Sequence, residues 1–268
     1  MIIQLAGDQV QAVAALAAFI GAIKCPSSLV SGSVLTSLLP HFETIFGVIS
    51  SDRFCPEQAS EEKSTKRRLK QNEDLLAGWP PINELPGQMK LSVLGAKFLA
   101  LFASLLIKQH TNSASNSVSL DTVSSIRSLT LGFLLHRLES GAASVNIRLQ
   151  YTLLKGLITC LPDASVGDLV GPLMPLLLAL QDTKHALRLK LNTLLGRLLR
   201  GHRLSPAYLS LLYWSGAHEP QSNIKSTIKS LLGEIKNAQE MAGEMGAVLC
   251  VIASKHPDCQ ELGPIVEG

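Results

Sequence analysis

The sequence is poor in aromatic residues and in charge. Aromatic side chains make up 4% of the 268 residues and charged side chains 17%, whereas hydrophobic residues make up 46%. This apolar content excludes a wholly disordered chain. Because leucine is abundant while the aromatic residues that favour strands are scarce, the composition favours packed helices over β-sheets.

Paired cysteines are also lacking. The five cysteines include no Cys-x-x-Cys pair. Cys250, His256 and Cys259 come closest to a metal cluster, but a fourth ligand is missing and Pro257 intervenes. We therefore expect no disulfide framework, no metal site and no cofactor, and reduced thiols favour a cytoplasmic location.

No apolar run is long enough to suggest a membrane span. The strongest runs cover residues 10–23, 98–107 and 169–180, and each is shorter than the ~20 residues that a transmembrane helix requires. Common catalytic signatures are missing as well, including the Gly-x-Ser-x-Gly, His-Glu-x-x-His and Walker-type patterns. We therefore expect buried core helices, no transmembrane span and no enzymatic activity, and we nominate no catalytic residue.

The apolar residues that are present follow a helical period. Leu187, Leu191, Leu194, Leu195 and Leu198 lie on one face of a helix. The same or nearly the same spacing recurs over residues 94–105, 147–158 and 224–235. The tetrads 193–196 and 230–233 occupy equivalent positions in the two apolar faces 187–198 and 224–235. An internal period of roughly 40 residues is typical of repeat proteins.

Partner helices are expected between these faces. Asp121 is a candidate N-cap for a helix over residues 122–139, and Ser205-Pro206 is a candidate start for residues 207–213. Residues 169–181 carry Pro172 and Pro175, which predict a short or kinked helix. Further helices are expected over residues 9–24, 33–49 and 240–255. The pattern is therefore one of alternating helix pairs.

With this pattern of alternating helix pairs, the chain resembles HEAT and armadillo proteins. The segment 172–199, PLMPLLLALQDTKHALRLKLNTLLGRLL, looks like a HEAT unit, with Pro175, Asp182 and Arg188 at the places of its proline, aspartate and basic residue. The resemblance implies an all-α solenoid of stacked antiparallel helix pairs. It also implies a polar ladder between adjacent units, for which Arg148 lacks an aspartate because Ala142 stands six positions earlier.

The predicted domain organisation has three parts. Residues 1–49 form an N-terminal helix pair, and residues 88–268 form the HEAT/ARM-like repeats. Between them, residues 50–87 are charged, contain prolines and have no sustained apolar period, which predicts a flexible insertion. Trp79-Pro80-Pro81 is expected to anchor the end of this insertion to the helices.

Two basic clusters are candidate binding features. The first is a candidate interaction surface for an acidic peptide, RNA or an anionic lipid, formed by Lys184, Arg188, Lys190, Arg197, Arg200 and Arg203. Helical spacing directs Arg188, Lys190 and Arg197 to different sides, so the alternative is that the last arginines stabilise the C-terminal end of their helix. The second is a candidate nuclear-import signal, with a solvated, charge-balanced loop as its alternative, formed by Lys63, Lys66, Arg67, Arg68 and Lys70.

These features lead to two functional hypotheses. The first is a non-catalytic scaffold that mediates protein–protein interactions, with other proteins or the remainder of a larger solenoid as partners. An apolar start at residues 1–3 suggests that the N-terminal helix needs a neighbour, as in a fragment or a complex subunit. The second is binding of RNA or an anionic surface through residues 184–203. The expected location is the cytoplasm, or the nucleus if the basic loop acts as an import signal.

Overall fold

The computed structural model describes residues 8–24, 28–51, 79–112, 118–140 and 146–235, together with Gly246, Val248 and Cys250. Every regular element within these residues is a helix, and they contain no strand. The prediction of an all-α protein is therefore confirmed. The helix predicted over residues 240–255 lies largely outside the described residues.

The described helices fall into two successive groups along the chain. In the first part of the chain they are α1 (Gln9–Ile23), α2 (Ser28–Leu38), α3 (Phe42–Ser50), α4 (Gly87–Asn112), α5 (Leu120–Glu139) and α6 (Ile147–Cys160). In the second part they are α7 (Val166–Leu180), α8 (His185–Arg200), α9 (Leu209–His218) and α10 (Ser222–Glu234). Three 3-10 turns complete the described structure, Leu39–His41, Ile82–Glu84 and Pro206–Tyr208.

The chain divides into two compact units, Met1–Cys160 and Leu161–Gly268. We refer to them as unit 1 and unit 2. Their boundary falls inside the range 88–268, which the sequence grouped as one set of repeats. The periodic helix faces cross this boundary without any change in composition that could have revealed it.

Unit 1 is built around α4, which packs against both α1 and α6, while α5 also contacts both α4 and α6. The core face predicted on α4 is buried at Leu94, Phe98 and Phe102. Phe42 of α3 stacks on Phe102 with ring centroids 5.2 Å apart. Burying one such ring stabilises a fold by about 1.5–3 kcal/mol, so these aromatic residues contribute strongly despite their scarcity.

Within the described part of the chain, two helical stretches are long and apolar enough to cross a membrane by length and composition. They are Gly87–Thr111, of 25 residues with mean hydropathy 1.8, and Gly32–Ser50, of 19 residues with mean hydropathy 1.2. Both exceed the apolar runs read from the sequence. However, 72% of the apolar window in the first is buried within the fold, and the 3-10 turn Leu39–His41 interrupts the second. Neither is a clear transmembrane span.

Unit 2 is centred on α8, which packs against α7, α9 and α10. The predicted α8 face is buried at Leu187, Leu191 and Leu195, with Leu194 and Leu198 partly exposed. The approach of α8 to α10 is close, since a Cβ placed on Gly196 would lie 2.9 Å from the Cβ of Leu231. These two residues belong to the two in-register tetrads, so the repeated sequence pattern corresponds to a direct contact between helices.

The helix predicted to be short or kinked is neither short nor interrupted. α7 continues for 15 residues with Pro172 and Pro175 inside it. Its start is fixed by a capping box, in which the Ser165 hydroxyl accepts a hydrogen bond from the Asp168 amide and the Asp168 carboxylate accepts one from the Ser165 amide. The short alternative was wrong because the cap and the leucines that α7 buries outweigh the two lost backbone donors, while the kinked alternative stays a prediction.

Two predicted helix starts have different outcomes. The Ser205 hydroxyl accepts a hydrogen bond from the Ala207 amide, and Pro206 opens the turn that leads into α9, as expected. The start assigned to Asp121 was wrong. Ser119 is the N-cap of α5 and accepts from the amide of Thr122, while Asp121 lies in the first turn, where its charge favours the helix dipole.

Both described ends of the predicted insertion are held by arginines. Arg137 of α5 donates to the carbonyl oxygens of Ser50 and Ser51, at 3.4 Å each. Arg148 of α6 donates from Nε to the carbonyl oxygen of Pro80 at 2.7 Å. The insertion predicted over residues 50–87 therefore includes packed residues at its margins, and residues 52–78 lie outside the described structure.

The anchor predicted at Trp79 is confirmed by its contacts. The indole ring packs edge-on against Tyr151 of α6, with ring centroids 5.2 Å apart. The Arg148 guanidinium lies over the same indole at 5.5 Å. A cation over an indole and an edge-on aromatic pair are both favourable geometries. They fix the point where the chain enters α4.

Candidate interaction surfaces

Arg188 does not belong to a basic surface, because the structure buries it. Its side chain is 6% exposed and forms a two-pronged ion pair with Glu219, from Nε and Nη2 to the two carboxylate oxygens at 2.9 Å each. Nη1 donates to the carbonyl oxygen of Asp182. The Glu219 carboxylate also accepts from the Gln221 amide at 3.1 Å. The Arg188 guanidinium is therefore neutralised and hydrogen-bonded inside unit 2.

This arrangement departs from the polar ladder that the HEAT resemblance implies. The resemblance places Asp182 and Arg188 at the aspartate and basic positions that form this ladder between adjacent units. The Asp182 carboxylate accepts a hydrogen bond from the Lys184 amide at 2.8 Å. The backbone carbonyl of Asp182 accepts a hydrogen bond from Nη1 of Arg188. The carboxylate that pairs with Arg188 comes from Glu219, in the connection that leads into α10. The ionic link thus joins α8 to the following helix pair.

The other basic residues of the first cluster are distributed around α8. Arg200 forms an exposed ion pair with Glu234 of α10. Arg197 and Arg200 lie in the last turn of α8, as the helix-dipole alternative expects. Lys190 and Arg197 are seven positions apart and therefore project from one face of α8. The prediction that these two residues point to different sides of the helix was therefore wrong. Lys184 precedes the helix and Arg203 follows it.

Several sequence candidates lie outside the described residues. These are the whole candidate import signal, Lys63, Lys66, Arg67, Arg68 and Lys70, and two of the three metal-cluster candidates, His256 and Cys259. Among the residues that the structure does describe, no group of three or more His, Cys, Asp or Glu side chains could hold a metal ion.

Cys160 is a core thiol at the end of α6. It is completely buried and lies 3.7 Å from the carbonyl oxygen of Ala100, to which it donates. Burial raises the pKa of the Cys160 thiol to about 12, so the thiol stays protonated and unreactive in the folded protein. Cys250, by contrast, is exposed and free.

An open groove of about 510 Å³ crosses the surface of unit 1. Phe42 and Ile126 are buried beneath it, at 2% and 5% exposure, and Leu129 stands at its side with 39% of its surface exposed. Two exposed carboxylates, Glu43 and Asp121, complete the charged part of the lining. The groove therefore presents apolar surface next to negative charge.

No motif or spacing in the sequence indicates this groove. Its lining comes from two places about 80 positions apart, the turn into α3 and the first half of α5, and consists of Leu39, Pro40, Phe42, Glu43, Asp121, Thr122, Ser125, Ile126 and Leu129. On α5 the contributing residues recur every three or four positions, which marks one helix face. That face was predicted only as part of a partner helix.

Comparison of the chain with family models, with curated proteins and with solved structures finds no match. The functional conclusions below therefore rest on the residues of this chain.

Proposed function

We propose that this chain is a non-catalytic helical-repeat scaffold that binds protein partners, as part of a larger solenoid or a multi-subunit complex in the cytoplasm or nucleus. Its helix pairs would stack in the manner of HEAT and armadillo proteins. The packing of alternate helices supports this proposal, since α4 packs on α6 within unit 1 and α8 packs on α10 within unit 2. In stacked helix pairs, equivalent helices of neighbouring pairs are the ones that meet.

The groove of unit 1 is the observation that carries the proposed binding function. It combines the exposed apolar side chain of Leu129 with a floor formed by Phe42 and Ile126. Its charged lining residues, Glu43 and Asp121, are both acidic. Charge complementarity therefore specifies the partner as a protein segment that inserts an apolar side chain and carries Lys or Arg beside it.

The groove predicts a specific loss of partner binding. Leu129→Glu places a carboxylate on the apolar wall and adds a third negative charge, so we expect recovery of the partner to fall by about tenfold or more. The measurement is affinity capture from cell lysate with quantitative mass spectrometry, using the intact chain and the variant. Because Leu129 is already partly exposed, we expect the free energy of unfolding of the variant to change by only about 0.5 kcal/mol.

Leu178→Glu is the matched control for this experiment. Leu178 is an exposed leucine of α7 with 59% of its surface accessible, and it belongs to unit 2 and does not line the groove. The same substitution there should leave recovery of the partner unchanged. A partner lost equally from both variants, or no partner recovered by the intact chain, would count against the proposal.

Binding of RNA or an anionic surface through α8 remains the alternative function. One observation favours it, namely that Lys190 and Arg197 share a face of a helix that contains no acidic residue. Arg188 contributes nothing to such a surface because Glu219 neutralises it in the interior. Salt-sensitive RNA binding that is lost on Lys190→Glu and Arg197→Glu would support this alternative.

A further inference from the structure

The two carboxylates of the groove in unit 1 have no counter-ion among the described residues. Glu43 and Asp121 are exposed and line the groove, whereas both ion pairs of the described structure lie in unit 2. His41, Lys108 and Arg127 belong to the elements that form or adjoin the groove, and none of these three lines it. A cationic ligand would therefore meet two carboxylates that no described side chain pairs with.

The apolar part of the groove defines the other half of the ligand. Leu129 keeps 39% of its surface exposed above the buried side chains of Phe42 and Ile126. The groove volume of about 510 Å³ falls within the range of about 300–1,000 Å³ that is typical of ligand sites. A suitable ligand inserts an apolar side chain and carries basic side chains beside it.

This chain contains a segment of that composition. Residues 66–70, within the candidate import signal, read KRRLK. Leu69 stands there between Arg68 and Lys70. Within residues 52–78, which lie outside the described structure, Leu69 is the one apolar residue with a basic residue on both sides.

Both ends of residues 52–78 are fixed on unit 1, and the chain lengths allow Leu69 to reach the groove. Arg137 binds the carbonyl oxygen of Ser51, which follows the groove residue Glu43 by eight helical positions, or about 12 Å. Leu69 comes 18 positions after Ser51, a span of up to about 60 Å, and ten positions before Trp79, a span of up to about 33 Å. Trp79 packs on α6, and α6 packs against α5.

We propose that residues 66–70 bind in the groove of the same molecule, with Leu69 against the apolar wall and the flanking basic side chains paired with the two carboxylates. Ammonium and guanidinium donors form charge-assisted hydrogen bonds with such carboxylates. This inference rests on the proposed binding function of the groove. It adds that a protein partner must displace a segment of the chain itself.

Attachment of the segment at both ends favours binding within one molecule. A tethered ligand reaches an effective concentration of about 1 mM. If the isolated segment binds with a Kd of about 100 µM, it occupies the groove in about 90% of molecules, and a free ligand then binds about tenfold more weakly. A partner with a Kd in the micromolar range or below would still displace the segment.

A chain in which the segment is neutralised tests the proposal. The segment variant carries Arg68→Ser, Leu69→Ser and Lys70→Ser in the full chain. The probe is a fluorescein-labelled peptide of residues 64–72, STKRRLKQN, and its binding is measured by fluorescence anisotropy. We expect about tenfold tighter binding to the segment variant than to the intact chain, with affinity that falls at high salt. The same peptide with Leu69→Ser should bind at least tenfold more weakly.

Two further variants serve as controls. Arg53→Ser with Phe54→Ser changes a basic and an apolar residue of the same segment next to Asp52, and it should bind the probe as weakly as the intact chain does. Glu43→Gln with Asp121→Asn, added to the segment variant, keeps the side-chain volumes and removes both groove charges. This addition should weaken probe binding by about tenfold and reduce its salt dependence.

Three results would overturn the inference. The first is absence of probe binding to the segment variant, and the second is equal affinity of the intact chain and the segment variant. The third is a dimer of the intact chain in light scattering that the segment variant does not form, which would place the segment in the groove of a second copy. Partner capture that depends on Leu129 would survive each of these results, so failure of this inference is distinguishable from failure of the proposed scaffold function.

Discussion

Replacing Arg188 by Met should lower the free energy of unfolding of unit 2 by about 3–5 kcal/mol. The Arg188 side chain is 6% exposed and that of Glu219 is fully buried. Removing the guanidinium leaves the Glu219 carboxylate in the interior with the Gln221 amide as its remaining hydrogen-bond donor among the contacts described above. A buried charge without its counter-ion is far more costly than the net worth of the intact pair.

Urea unfolding followed by circular dichroism measures this effect. Arg200→Met is the matched control, since Arg200 also pairs with a glutamate but remains 53% exposed. That variant should change stability by no more than about 1 kcal/mol. Adding Glu219→Gln to Arg188→Met removes the orphaned charge and should recover part of the loss. Equal stability of the Arg188→Met and Arg200→Met variants would contradict the buried ion pair.

The second large effect is expected at the contact between α8 and α10. Gly196→Leu should destabilise unit 2 by about 3 kcal/mol, because the new side chain has no room. A single added Cβ would already lie 2.9 Å from the Cβ of Leu231, an atom fixed to the α10 backbone. The two helices would have to move apart, which would expose the leucines that α8 buries.

Gly233→Leu is the corresponding control in the next tetrad. Gly233 occupies the position in α10 that Gly196 occupies in α8, but a Cβ placed there meets no atom within 4 Å. Because leucine has a better helix propensity than glycine, this variant should be neutral or slightly more stable. Thermal unfolding of both variants gives the comparison. Similar melting temperatures for the two would show that α8 and α10 do not approach each other as described.

The helical period of the sequence predicted much of this packing. The residues at offsets 0 and 4 of the α8 and α10 faces, Leu187, Leu191, Ile224 and Ile228, are all buried. The in-register tetrads also mark the place where the two helices touch. Apolar spacing carries this information because burial follows one face of each helix, whatever its partner.

Contacts between distant segments could not be predicted in the same way. Arg188 looked like a surface charge because its partner, Glu219, stands 31 positions later, beyond an intervening helix. The groove escaped prediction for the same reason, since Glu43 and Asp121 come from different elements.

The proposed binding of a protein partner is tested most directly by amide hydrogen exchange on the chain bound to the partner that it captures. We expect slower exchange over residues 39–43 and 121–129, the two segments that line the groove. Residues of α7 around Leu178 should exchange at the same rate with and without the partner. Unchanged exchange in the groove segments, with protection confined to unit 2, would contradict binding of the partner in the groove.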